Sequence, residues 1–189
     1  TAVTRLLLAR KYKLRSYASA SEFLDSDSCA EPGCVLLDLK MPGATGFDLQ
    51  QSLATLEERL PIVFLSGHGD IPASVRGMKA GAVDFLTKPV RRDALLRAVE
   101  SALGADAAAR TAHAISHELH ERYENLTPRE REVLAHVVGG KLNKLIAFDL
   151  GTSERTIKAH RANIMEKLRV QSVAELVRLA QALGIQPVR

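Results

Sequence analysis

The sequence predicts an α/β fold, a doubly wound parallel sheet, joined by a long helix to an all-α domain of four helices containing a helix-turn-helix. Three observations lead there. In the first half of the 189 residues, short apolar runs alternate with amphipathic segments, the pattern of a parallel sheet covered on both faces. Next comes "GADAAARTAHAISHELHERYEN", alanine-rich and free of proline, as a continuous helix requires. From about Leu126 the chain turns to short helical segments punctuated by Gly, Asn and Ser, with no convincing strand.

The apolar runs place candidate strands at 14–17, 34–37, 62–65 and 84–86, with helical stretches at 21–24, 47–56, 71–80 and 94–103. In "CVLLDLKMPG" an unbroken run that reads as a strand buried on both faces leads straight into Asp38. Ligands bind at the carboxyl edge of an open α/β sheet, so an acid there is a candidate site residue. Asp38 equally suits a turn cap before Pro42-Gly43. "PIVFLSGHGD" ends its strand at Ser66 with the small Gly67 beside it, and "AVDFLTKPV" ends in Thr87, Lys88 and Pro89. In a doubly wound sheet these ends meet, bringing an acid, a hydroxyl and an ammonium together. That set suits an aspartyl phosphate. The carboxylate is the nucleophile, the hydroxyl bonds a phosphoryl oxygen, the lysine neutralises its charge, and Gly67 leaves room.

In the joining segment Ala108, Ala112, Ile115, Leu119, Tyr123 and Leu126 form a short heptad-like stripe, a candidate dimer seam. His113, His117 and His120 share a face there. The outer two lie about 10 Å apart along the axis, too far to converge on one ion whose bonds are near 2 Å. Solvated histidines beside Glu118 and Glu121 are the expectation.

Hydrophobic content of 46% with 25% charged residues is ordinary for a globular chain, and no run of about 18 apolar residues spans a membrane. "TAVTRLLLARKYK" is interrupted by Arg5, unlike a secretory signal. Two cysteines, Cys29 and Cys34, are too few for a disulfide scaffold or a four-cysteine zinc site. They read as reduced thiols of a cytoplasmic protein, with Cys34 in the core. The net charge of +4 is uneven: residues 126–189 hold 11 basic and 6 acidic side chains, and 1–104 hold 13 and 12. A basic last third points to a polyanionic partner.

"LLDLKMPGATGFDL", "FLSGHGD" and "GAVDFLTKP", in this order and spacing, resemble the receiver domain of two-component response regulators over about residues 1–103. The resemblance implies that Asp38 accepts a phosphoryl group from a sensor histidine kinase, with Mg²⁺ at Asp38 and the Lys40 carbonyl. It implies that Ser66 and Phe85 form a switch pair, that Gly67 and Lys88 stand at the phosphate, and that Lys88-Pro89 is a cis peptide. Receivers open with an apolar strand ending in two adjacent acids that help hold the Mg²⁺. Here no acid precedes Glu22. Truncation upstream of Thr1 is the expectation, and a degenerate receiver the alternative. This chain should then keep three parallel strands, with 14–17 frayed or re-paired and Mg²⁺-dependent phosphorylation weak or absent.

In the last third, Thr127 with Pro128 and Glu130 forms a capping box, and Gly139-Gly140 stop that helix. A second helix runs from Asn143 to Leu150 and is stopped by Gly151, Ser153 caps a third, and Ser172 starts a fourth that ends near Leu183. The second and third, joined by "GTS", make the helix-turn-helix. Ile157, Ile164 and Leu168 stack on one face of the third helix, while Arg155, Lys158, Ala159 and Ala162 project opposite. Lys158 beside small alanines suits base contact in a major groove. His160 and Arg161, with Asn143, Lys144 and Thr152, suit phosphate contacts. The block closely resembles the LuxR/FixJ-type DNA-binding domain over residues 126–183, except that Leu145 replaces a commonly polar residue.

These readings divide the chain into a receiver at 1–103, a linker helix at 104–125 and a DNA-binding domain at 126–189. Together they describe a transcriptional response regulator, not an enzyme. Its expected partners are duplex DNA, a sensor histidine kinase and a second copy when active, with RNA polymerase a possible further contact. The alternative is a DNA-binding regulator that works without phosphorylation. A haloacid-dehalogenase-like phosphohydrolase fits worse, because its second acid would fall at Lys40.

Overall fold

The run Ile-Val-Phe-Leu is apolar on both faces, and the first part of the molecule is built around it. A computed structural model describes residues 2–41, 45–55, 60–67 and 71–188, which fall into two compact units, 1–111 and 112–189. In the first unit a three-stranded parallel sheet has the order β1 (Val35–Asp38), β2 (Ile62–Ser66), β3 (Asp84–Thr87). Every residue of β2 is buried, Val63 and Phe64 completely. Each of those two side chains contributes roughly 1.5–3 kcal/mol.

Alternation along the strands assigns the helices. Leu36, Val63 and Leu86 face α1 (Ala2–Ala9) and the start of α5 (Arg92–Glu124). Leu37, Ile62 and Phe64 face α2 (Ala20–Leu24) and α3 (Gly46–Leu53). α4 (Ile71–Lys79) meets that second face at Gly77, where an added Cβ would lie 3.1 Å from the Phe64 ring. The buried amide of Gln50 ties α3 to the end of α4, donating to the Gly77 and Ala80 carbonyls at 3.2 Å each.

Several expectations change. Asp38 is the last residue of β1, paired with Leu65, and does not follow the strand; Cys34 lies just before it. Val35 and Leu36 are half-buried, because β1 is the edge of the described sheet and has a neighbour on one side. Cys34 is half-buried too. Burial pushes its thiol up to about 11, helped by the charge of Asp106, so it stays protonated and unreactive.

Residues 14–17 form no strand. Leu14 packs with the α1 and α5 cluster, Tyr17 meets Phe23 edge-on at 5.2 Å, and Arg15 donates to Ser28 and Glu31. Side chains hold this segment where ladder bonds do not, and the described sheet has three strands, as expected. The helix expected over 47–56 runs Gly46–Leu53, and Leu56 lies outside the described residues.

α5 is one 33-residue helix, uniting the expected stretch at 94–103 with the joint. In the second unit its last turns carry Leu119 and Tyr123 into a core formed with α6 (Pro128–Val138), α7 (Asn143–Asp149), α8 (Glu154–Leu168) and α9 (Val173–Ala182). The capping box at Thr127 is present in both directions. Its Glu130 is buried, and Lys167 of α8 donates to it at 2.7 Å. Burial alone would raise this carboxyl. Hydrogen bonds from Lys167 and Thr127 outweigh it and hold Glu130 below its ordinary value.

Lys167→Ala should destabilise the second unit by about 1–2 kcal/mol, a modest loss because the ammonium is only partly buried. A depressed carboxyl adds stability above its unfolded pKa, and that stability is lost as pH falls through the folded value. Removing Lys167 raises the folded value. Acid unfolding, followed by exchange of α6 and α8 amides, should therefore begin at higher pH than in the wild type.

Candidate functional site

Parallel pairing aligns Asp38 with Leu65, and Ser66 with Thr87, at one edge of the sheet. Lys88 follows β3 there, and its ammonium pairs with Asp38 Oδ2. Asp38 Oδ1 accepts the Lys40 N–H at 3.2 Å. Both oxygens of the carboxylate are thus oriented, one by an ammonium and one by backbone. Both side chains of the ion pair remain about two-fifths exposed, so a reagent can approach.

Ser66 is buried at the end of β2, and its carbonyl accepts the Lys88 N–H at 2.7 Å. The Lys88-Pro89 peptide is cis. At Gly67 an added Cβ would meet no described atom within 4 Å, so the space at that strand end is open. Phe85 is half-buried with its ring 5.9 Å from that of Phe64. Among the described residues no group of three His, Cys, Asp or Glu side chains could hold a metal ion. His113, His117 and His120 are exposed, as expected; His117 lies 3.7 Å from Glu121, and His120 Nδ1 lies 2.8 Å from the Ser116 carbonyl oxygen.

Gly46 escaped the sequence reading. It starts α3 against the end of β1, where a Cβ would fall 2.8 Å from the Asp38 carbonyl oxygen and 3.0 Å from the Phe64 ring. The signal that could have located this helix start was Thr45-x-x-Asp48, a capping box made in both directions.

The second constellation lies on α7 and α8. Ile157, Ile164 and Leu168 are fully buried, which leaves Arg155, Lys158, Ala159 and Ala162 exposed on the opposite face. Lys158 pairs with Glu154 at 3.5 Å, a surface contact that a stronger anion can displace. His160 and Arg161 are half-buried. Arg161 Nη1 donates to Asn143 Oδ1 at 3.0 Å, so α7 aims a cation of α8. Lys144 is exposed, Thr152 is half-buried, and a depression is lined by Lys141, Asn143, Lys144 and Arg161. Of the heptad-like stripe, Leu119, Tyr123 and Leu126 enter the second core, whereas Ala108, Ala112 and Ile115 are exposed.

A sheet unit with an acid–lysine pair at its carboxyl edge, followed by a helix-turn-helix unit with a basic face, defines a two-part signalling regulator. The family model for the response regulator receiver domain matches residues 1–100, and that for bacterial regulatory proteins of the luxR family matches 124–180. The response regulator protein TodT of Pseudomonas putida is 44% identical over 182 residues, covering 96% of this chain and 80% of TodT. The transcriptional regulatory protein FixJ of Bradyrhizobium diazoefficiens is 39% identical over 180 residues, 95% of this chain and 88% of FixJ. The solved structure of the response regulator StyR has a TM-score of 0.84 at 42% identity, covering 95% of this chain and 91% of StyR. Full-length FixJ from B. japonicum gives a TM-score of 0.56 at 38% identity, with coverage of 97% and 90%. The chain belongs to the transcriptional response regulators that join a receiver domain to a luxR-type DNA-binding domain.

Gly46→Ala should destabilise the first unit by about 1–3 kcal/mol through overpacking against backbone, measurable by denaturant unfolding of the sheet. Its second unit should unfold as in the wild type, since that core is separate.

Proposed function

We propose that this chain binds duplex DNA through α8 and that phosphorylation of Asp38 by a sensor histidine kinase controls the binding. The observation that carries the DNA reading is the division of α8. Three fully buried apolar residues fix one face, so Arg155, Lys158, Ala159 and Ala162 are held outward together. Small alanines beside a lysine let the helix sit deep in a major groove. Lys158 reads a base edge, and Asn143, Lys144, Thr152, His160 and Arg161 take phosphates.

At the sheet edge a carboxylate oxygen of Asp38 attacks the phosphorus of a phosphohistidine. The phosphorus–nitrogen bond breaks, and the imidazole nitrogen keeps the electron pair. The product carries about two negative charges beside Lys88, with Ser66 on the adjoining strand end as hydroxyl partner and Phe85 as its switch mate. Receiver domains generally use Mg²⁺ for this reaction. Asp38 and the Lys40 carbonyl would be its protein ligands here, but among the described residues no group of three His, Cys, Asp or Glu side chains could hold a metal ion, so the set does not fit a protein-held Mg²⁺.

The phosphorylated chain acts as a homodimer, meets RNA polymerase on DNA and works in the cytoplasm beside its kinase. Among the described residues no helix is long and apolar enough to cross a membrane. It is a regulator and not a phosphohydrolase, since Lys40 occupies the position of that class's second acid. The lack of a metal-holding group of side chains among the described residues favours one further reading, a regulator that binds DNA without phosphorylation.

Lys158→Ala should weaken specific binding by about 1–3 kcal/mol and spare random duplex, read by fluorescence anisotropy across a salt series. Equal loss on both duplexes would make Lys158 a phosphate contact, and a folded chain that binds neither would end the DNA reading.

With acetyl phosphate as donor, label should be weak and confined to Asp38, and Asp38→Asn should remove it. Label surviving the substitution would move the acceptor elsewhere. No label, with DNA binding intact, would favour the phosphorylation-independent reading.

A further inference from the structure

The loop 30–33 enters β1, and α5 passes beside it. Asp106 on α5 is only 4% exposed, a position where a carboxylate is costly unless its oxygens are bonded. It accepts the Gly33 N–H at 3.0 Å. Arg110, one turn on, sets Nε 3.1 and 3.0 Å from the two carboxylate oxygens. Its remaining nitrogens continue into the loop, Nη1 donating to the Ala30 carbonyl at 3.2 Å and Nη2 to the Glu31 carbonyl at 2.9 Å. One planar guanidinium therefore serves a carboxylate and two backbone carbonyls at once, a task for which arginine's rigid fork is suited and lysine's single ammonium is not.

Position gives this clamp its meaning. The apolar packing of α5 on the first unit ends at Leu103 among the described residues. The unit itself extends to Thr111, about two helical turns further. Asp106 and Arg110 occupy that interval. Beyond it, residues 112–118 are all exposed. The loop they grip leads directly into β1, whose far end is Asp38.

We infer that Asp106 and Arg110 are positioning residues that extend the receiver's grip on α5 from Leu103 to Thr111 and lock it to the entry of the acid-bearing strand. The first unit's hold on α5 then ends at Thr111, not two turns earlier. This deepens the proposed function, on which it rests for what α5 transmits.

Hydrogen exchange on the full chain, with wild type, Arg110→Ala, Arg110→Lys and Asp106→Asn, tests it. Wild type should show a drop in protection between 104–111 and 112–118. In Arg110→Ala the drop should move to near Leu103, with amides of 104–111 and 30–33 exchanging at least tenfold faster and β2 and α6–α9 unchanged. Arg110→Lys should behave like Arg110→Ala. Full rescue by lysine would reduce the clamp to simple charge neutralisation and overturn the inference, as would wild-type protection across 104–111 in Arg110→Ala. Should Arg110→Ala lose protection in β2, Asp106→Asn decides by the same criterion, because it keeps the side-chain shape and the acceptor for Gly33. Exchange reads the joint whether or not the chain binds DNA. Failure to bind DNA would end the functional reading and leave the joint standing.

Discussion

Parallel pairing delivers the carboxyl ends of neighbouring strands to one edge, and the chemistry of the first unit depends on that constraint. Asp38, Ser66 and Lys88 come from three separate segments and are far apart in sequence. They meet because Val63 and Phe64 are buried on opposite faces of β2, which fixes both of its neighbours in register. A slip of one residue would turn these side chains to the wrong faces and carry Asp38 away from Lys88. Gly46 completes the arrangement, since only a residue without Cβ lets α3 start against the Asp38 carbonyl.

In the second unit a comparable constraint acts through a helix. Ile157, Ile164 and Leu168 take all the orientational freedom from α8, so its outer face is set by packing and not by charge. Lys167 anchors the end of that helix to the capping carboxylate of α6, and Arg161 is held by Asn143 of α7. The exposed Lys158–Glu154 pair costs little to break, of the order of a few tenths of a kcal/mol for an i,i+4 pair. The outer face of α8 is thus rigid in its backbone and adaptable at its tips.

Much of this was legible because it is local. Apolar runs, the caps at Thr127, Ser153 and Ser172, and the alternation of strand with helix each follow from a few neighbouring residues. The half-burial of β1 was not legible, because an unbroken apolar run looks alike at an edge and at a centre. Lys167 resembles any helical lysine until α6 is docked, and the end of α8 at Arg169 carries no glycine although its φ is 53°. Asp106 and Arg110 read as an ordinary i,i+4 pair. Their three loop partners lie more than 70 residues upstream, and periodicity along one helix carries no trace of them.

Magnitudes limit how a signal can cross such a chain. Turning a regulator from mostly inactive to mostly active takes about 5.5 kcal/mol of differential free energy. The Asp38–Lys88 pair is two-fifths exposed on both sides, a setting in which ion pairs are worth roughly 0–1 kcal/mol. Strengthening that pair alone therefore falls short. In the proposed function a phosphoryl group also engages donors that are already fixed in place, with the Lys40 N–H and the buried Ser66 proposed among them, because charge-assisted bonds to preorganised groups contribute about 1.5–3 kcal/mol each. It must then act on an element that reports to the second unit. α5 is continuous from Arg92 to Glu124, packs into both cores, and has every residue of 111–118 exposed. A bare helical stretch that short is marginal by itself and persists because both of its ends are held. In the proposed function, control of DNA affinity depends on how firmly each unit holds its own end of α5, and the inferred clamp near residue 110 sets the first unit's share of that grip.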